Sequence, residues 1–396
     1  MNHYERIMKD NILKVNLIIN CNRKNKHNTI TTNYYIMNTN TMNRKFNKYS
    51  NSGLTGLTNC GNTCYLNTCL QILSHTYELN DILNNGDFRR HLKRTPDGVL
   101  LHEWDELRKL MWSENCTVTP RRFLRVVQSV AASKNRHLFT GYSQNDMTEF
   151  LLFVMECFHD GLSREVVMTI KGNPVTDNDK LATKCYKRMI ELYQKSYSEL
   201  LDLFFGIQVW NTRVIKDGKP QELTIDNMNP ESFMSLDLWL DIQTPEKTLF
   251  DCIQKNMEPE EIEGFKDDEG NQKQRLLRFW SLPQVLMVNI KRYTPLGQKI
   301  QTLIYPNEEL DMTPYMIGYA NVNDKQNIEN SQKYELFAGA IHTGRSIQGG
   351  HYYAIIRNSN GKWYIFNDTN VVEFKDNETI LKRRLSEASC FFYRKK

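Results

Sequence analysis

Gly56-Leu57-Thr58-Asn59-Cys60-Gly61-Asn62-Thr63-Cys64-Tyr65-Leu66-Asn67 sets a cysteine at the mouth of a helix. Leu66, Cys69, Leu70 and Leu73 recur at i, i+3, i+4 and i+7. That period predicts a helix over 62–75 with one apolar face, and Asn62 and Thr63 are natural start signals. The unpaired N–H groups and positive dipole end of a helix N-terminus favour an anion, so Cys64 stands where a thiolate is stabilised. Gly61 lets backbone approach a substrate carbonyl, and Asn59 and Asn62 can offer amides to an oxyanion. The competing reading is a small buried residue, as free Cys commonly is. Cys60 and Cys69 keep that reading; Cys64 lies one residue off the apolar face.

A thiol nucleophile needs a base held by a third group. Of nine His, only His351 follows paired glycines, Gly349-Gly350, and opens a strand, Tyr352–Arg357. Asn358-Ser359-Asn360-Gly361 then forms a turn before Lys362-Trp363-Tyr364-Ile365-Phe366. Together they read as a β-hairpin. A four-residue loop pairs Arg357 with Lys362 and brings Asn367 or Asp368 beside His351. Register, good to one residue, does not choose between them. Either would orient the imidazole and leave its other nitrogen to take the thiol proton. His342 is the competing histidine and lacks a comparable polar mate.

Elsewhere the chain reads as α+β: helices first, strands afterwards. A helix over 144–160 carries Met147, Phe150, Leu151, Val154 and Phe158, opened by Ser143 and Asp146. Another is expected over 181–204. Short Val-, Ile-, Tyr- and Phe-rich strands fall at 207–214, 232–240, 285–292, 334–342, 352–357, 362–366 and 390–394. The acid-rich run 258–269 reads as a solvated loop. Residues 1–50 hold twelve Asn and nine Lys/Arg against two acids, leaving 42 basic and 44 acidic side chains in the rest. The net charge of +5 therefore sits on a basic, Asn-rich flexible extension, 1–52, and the near-neutral body argues against a nucleic-acid-binding protein. Nine scattered Cys without a Cys-x-x-Cys pair suit an intracellular reducing compartment, cytoplasm or nucleus. No apolar run is long enough to span a membrane, and no secretory signal is evident.

These segments together resemble the ubiquitin-specific protease family, the ubiquitin carboxyl-terminal hydrolases. Gly61–Asn67 is similar to its Cys box, and Gly349-Gly350-His351-Tyr352 with Trp363–Asp368 to its His box. Gln144–Phe150, Ser281–Leu286 with Lys291-Arg292-Tyr293, and Leu310–Tyr315 match further family segments. The resemblance implies a papain-like cysteine protease domain over 53–396, with a helical thumb (54–205), β fingers (206–285) and a β-rich palm (286–396). It implies a thiol deubiquitinase cleaving after ubiquitin's C-terminal glycine through Cys64, His351 and Asn367. Asp368 would be the neighbouring acid and Asn59 an oxyanion donor. Asp146, Glu149, Gly349, Gly350 and Tyr352 would meet the ubiquitin tail. A ubiquitin-binding module of weak activity and a protease for a ubiquitin-like modifier are the alternatives. The expected partners are ubiquitin and ubiquitinated proteins, with the chain acting as a monomer. No cofactor is expected. Many family members bind zinc at the fingertips, but 206–285 holds one Cys, Cys252, and no His, so no metal is expected. The fingers would then be held by packing, through Phe233, Leu236, Leu238 and Trp239.

Overall fold

The computed structural model describes residues 15–20, 29–31, 46–221, 224–240, 246–294, 296–317, 331–346 and 349–396. Helices dominate its first half, and three of them begin on a side chain that takes up an unpaired N–H group. Thr95 accepts from the Gly98 N–H ahead of Pro96–Ser113, with Pro at the start of the helix. Asp146, not Ser143, caps Met147–Leu162 by accepting from the Glu149 N–H at 2.8 Å. Thr176 and Asp179 form a capping box that starts the next helix at Asp177. The helix expected over 181–204 is two, Asp177–Tyr193 and Leu200–Phe204. Between them Tyr197 exchanges backbone hydrogen bonds with Arg164, which draws the chain out of helical geometry. No helix of the described residues is long and apolar enough to cross a membrane.

The palm is one sheet with strand order Asn370–Glu373, Trp363–Asn367, Gly349–Arg357, Lys333–Ser346, Ala388–Lys395, Val285–Lys291 and Ser235–Trp239. Alternation sorts its side chains into two cores. Tyr352, Ala354 and Ile356 face the thumb helices. Tyr353 and Ile355 face the opposite side, where Leu249–Asn256 and Glu378–Leu385 pack. The helix that opens with Cys64, Cys64–Ser74, is buried along its whole length and packs on Gly349–Arg357.

The fingers pair Gly206–Lys216 with Gln272–Ser281 on one side and Met228–Phe233 on the other. The acidic run is not a loop: Glu260–Lys266 pairs with Gln272–Ser281. Cross-strand charge explains it, because Arg275 lies opposite Glu260 and bonds it at 3.1 Å. Arg275 also covers the Trp210 ring at 4.6 Å. Phe233 is buried at the end of its finger strand, but the other three residues expected to hold the fingers lie on the palm's edge strand Ser235–Trp239, where Leu236 and Leu238 are buried and Trp239 is 66% exposed. Cys252 sits in the apolar core under the palm, away from the fingers.

The leading segment departs most from expectation. Where it is described, it is not a flexible extension. Asn16–Asn20 forms the middle strand of a sheet with Thr29–Thr31 and Val167–Lys171. Val15, Leu17 and Ile19 alternate inward and close a core with Val166, Met168, Tyr186, Tyr197 and Leu201. Their period of two is short and is set among Asn and Lys, which is why composition hid it. Phe46 and Tyr49 pack on Tyr77 of the thumb. Leu17→Ala and Ile19→Ala should each destabilise the protein by ~2–5 kcal/mol, the usual cost of truncating a buried aliphatic residue. Urea unfolding measures this, and a change below ~0.5 kcal/mol would mean that the strand is a surface appendage.

Candidate active site

The turn before Cys64 is closed by one side chain. Asn59 Oδ1 accepts the N–H groups of Gly61 and Thr63 at 3.0 and 3.1 Å, and the Thr63 hydroxyl at 3.3 Å. Thr63 in turn accepts from the Cys60 N–H. Gly61 and Asn62 both take positive φ, 105° and 53°, conformations that Gly adopts freely and Asn tolerates. The double reversal swings the chain into the helix with Cys64 as its first residue. Asn62 is committed elsewhere, donating to the Tyr142 carbonyl.

The hairpin opposite has a five-residue loop, not four. Arg357 pairs with Trp363, Ile356 with Tyr364 and Ala354 with Phe366. Continued past the last rung, this register puts Asn367 on the same side of the ribbon as His351, one diagonal step away. Asp368 has already left the strand at a φ of 50°. His351 Nε2–H donates to Asn367 Oδ1 at 2.6 Å, which leaves Nδ1 as the basic nitrogen. Asp368 turns to the other partner. Its carboxylate accepts from Asn59 Nδ2 at 3.0 Å and from Asn67 Nδ2 at 2.8 Å, and its backbone carbonyl accepts the Leu57 N–H.

The thumb meets the start of the His351 strand through a second set of contacts. Gln144 bonds both backbone groups of Gly350, donating to its carbonyl at 3.0 Å and accepting its N–H at 2.9 Å. A Cβ at Gly350 would overlap the His342 ring, so no larger residue fits there. Tyr352 donates from its hydroxyl to Asp146 at 3.2 Å. Glu149 is exposed one turn along, and Gly349 lies at the strand start. His342 does have a polar mate, the Tyr293 hydroxyl at 3.0 Å from Nδ1. Burial, with help from Lys299, pushes the His342 ring down to about 4. It is neutral near pH 7 and its Nδ1 is occupied.

Cys64 is 3% exposed. Burial raises its pKa above the usual thiol value, the Tyr352 N–H aimed at the sulfur opposes this, and the Asp368 charge adds to the rise. Burial is the largest of these effects and outweighs the backbone N–H groups of Tyr352, Tyr65 and Cys64 that favour the thiolate. Asn67 and Gln144 were missed as functional candidates. The available signal for Asn67 was a polar residue one turn after Cys64 on a helix that is otherwise packed. Among the described residues no group of three or more His, Cys, Asp or Glu side chains is arranged to hold a metal ion.

A thiol on one wall and an oriented imidazole on the other is a constellation with known counterparts. The profile of the ubiquitin carboxyl-terminal hydrolase family matches residues 55–393. The chain belongs to the ubiquitin carboxyl-terminal hydrolase family. Human ubiquitin carboxyl-terminal hydrolase 2 is 28% identical over 367 residues, covering 88% of this chain and 56% of that protein. Ubiquitin carboxyl-terminal hydrolase Usp2 of Drosophila melanogaster is 30% identical over 353 residues, covering 86% and 35%. The chain thus spans about half the length of the human relative, and less of the fly one. A solved structure of the SAGA Ubp8/Sgf11/Sus1/Sgf73 DUB module bound to ubiquitin aldehyde shares the fold, at a TM-score of 0.65 and 21% identity over 88% of this chain and 70% of that one. The thumb, fingers and palm expected from the sequence are the fold of this hydrolase family.

A raised thiol pKa means a small thiolate fraction at neutral pH. Alkylation of Cys64 by iodoacetamide should therefore be slower than that of a free thiol at pH 7, and should keep rising beyond pH ~9 where an ordinary thiol of pKa ~8.5 levels off. A plateau below pH ~7 would mean a preformed thiolate.

Proposed function

We propose that the chain is a thiol-dependent deubiquitinase that cleaves the peptide or isopeptide bond after the C-terminal glycine of ubiquitin. The observation that carries this reading is the His351–Asn367 bond, which leaves Nδ1 free on a strand packed against the helix of Cys64. In this scheme Nδ1 takes the proton of Cys64 as the sulfur attacks the glycine carbonyl. The resulting imidazolium then gives that proton to the departing amine. Because burial holds the thiol protonated at rest, deprotonation coincides with attack, and a bound substrate carbonyl is where the negative charge moves. Asn59 commits one amide N–H to Asp368 and keeps a second for the oxyanion, with the backbone N–H of Cys64 beside it. Water then resolves the thioester, with His351 again as the base.

Two features favour a substrate tail that ends in small residues and carries positive charge. Gly350 is hemmed in by His342 and pinned by Gln144, which narrows the approach to His351. Asp146 and Glu149 add negative charge beside that approach, suited to a basic tail. Reduced surroundings suit the thiol, and no cysteine of the described residues is in a disulfide. A ubiquitin-binding module without turnover is the second reading, favoured only by the raised Cys64 pKa.

A ubiquitin probe with a C-terminal electrophile separates the two. The wild-type chain should form a covalent adduct under reducing conditions and Cys64→Ala should not. Binding without adduct would favour the non-catalytic module. With a fluorogenic ubiquitin substrate, His351→Ala should cost at least ~10² in turnover and Asn59→Ala ~10²–10³, the usual cost of a lost general base and a lost oxyanion donor.

A further inference from the structure

The nucleophile belongs to the thumb and the base to the palm, so catalysis depends on how the two are pinned together. Near His351 the pin is Gln144. On one side the rungs of the hairpin stop at Ala354–Phe366, so the strand of Asn367 is unpaired with that of His351 at this end; on the other side the ladder still pairs His351 with Thr343 before its register shifts toward Ser346.

A second pin lies at the far end of the same hairpin, made by residues ahead of position 55, where the family match begins. Asn358, 2% exposed at the start of the hairpin loop, donates to the Ser52 carbonyl at 3.0 Å and accepts the Asn51 N–H at 3.3 Å. Asn360 donates to Asn51 Oδ1 at 2.8 Å. The Ser359 N–H is bonded by the Tyr77 hydroxyl at 2.9 Å. The strap that supplies these partners is itself fixed to the thumb. Tyr49 stacks on Tyr77 with ring centres 4.7 Å apart, meets Trp112 edge-on and donates to Asp81. Asn115 donates to the Asn51 carbonyl. Asn51 holds a φ of 59°, a conformation only Gly, Asn and Asp adopt with ease.

We propose that the strap Tyr49–Ser52 is a positioning element of the active site: by clamping Asn358–Asn360 to the thumb, it fixes the His351–Asn367 hairpin relative to Cys64. The proposal rests on the deubiquitinase reading above. It assigns Asn51, Asn358 and Asn360 as positioning residues, which touch neither substrate nor thiol. A small tilt of the hairpin at its loop moves its catalytic end, and a misplacement of ~1 Å can cost ~10²-fold in rate.

The test uses the full chain with Asn51→Gly, which keeps the backbone conformation and removes the acceptor, and with Asn51→Gly combined with Tyr77→Phe. Asn51→Asp keeps both conformation and acceptor. Turnover of a fluorogenic ubiquitin substrate and hydrogen–deuterium exchange are measured on each. The double variant should lose about tenfold or more in kcat with KM within about twofold, inside the range misplacement allows. Exchange should rise in residues 349–367 while the fingers stay unchanged, and Asn51→Asp should behave as wild type. Unchanged kcat, or a uniform rise in exchange across the fold, overturns the proposal. Should wild type not turn over ubiquitin at all, the deubiquitinase reading fails by itself. The exchange pattern then still decides whether the strap holds the hairpin.

Discussion

The carboxylate of Asp368 is the joint on which the site depends. It gathers the amide of Asn59 from the turn before Cys64 and the amide of Asn67 from the helix that Cys64 opens. Its backbone carbonyl takes the Leu57 N–H as well. Leu57, Asn59 and Asn67, all on or just before the Cys64 helix, are thereby tied to one residue of the distant hairpin. Asp368 is half-buried, and both of its carboxylate oxygens are bonded, one to each amide. The same charge has an opposite effect nearby, because it helps keep Cys64 protonated. Structural cohesion and thiol activation thus pull against each other at a single residue.

That tension makes sense of the burial around the sulfur. A helix start alone would favour a standing thiolate, but packing against the palm removes the water that would solvate one. Burial thus raises the Cys64 thiol above its ordinary value, while the His351–Asn367 bond leaves Nδ1 of the ring unused. Oxidation requires thiolate character and exposure, and the resting site limits both.

Much of this was readable in advance where a pattern was long or its chemistry local. The helical period from Leu66 to Leu73 and the strand–turn–strand run after Gly350 specified the two walls of the site. What escaped was governed by pairing across distance. The Glu260–Lys266 strand is legible only once Arg275 is known to lie opposite. Val15, Leu17 and Ile19 alternate for three side chains only, and their partner strand begins about 150 residues later. Asn67 looked like an ordinary helix residue because its acceptor, Asp368, is distant in sequence. The choice between Asn367 and Asp368 turned on one residue of loop length, below the resolution of turn chemistry.

That last dependence reaches beyond this chain. Side chains on a strand alternate, so adding or removing one residue between Asn358 and Lys362 would exchange the faces presented by everything after it. Asp368 would then tend toward the imidazole and Asn367 toward Asn59 and Asn67, unless the strand slid to restore its pairing. An Asn-Asp doublet at this place tolerates such an event better than Asn beside an apolar residue would. Either register leaves a hydrogen-bond acceptor for the histidine and an oxygen for the two amides. The doublet therefore leaves both hydrogen-bonding roles fillable when the loop gains or loses one residue.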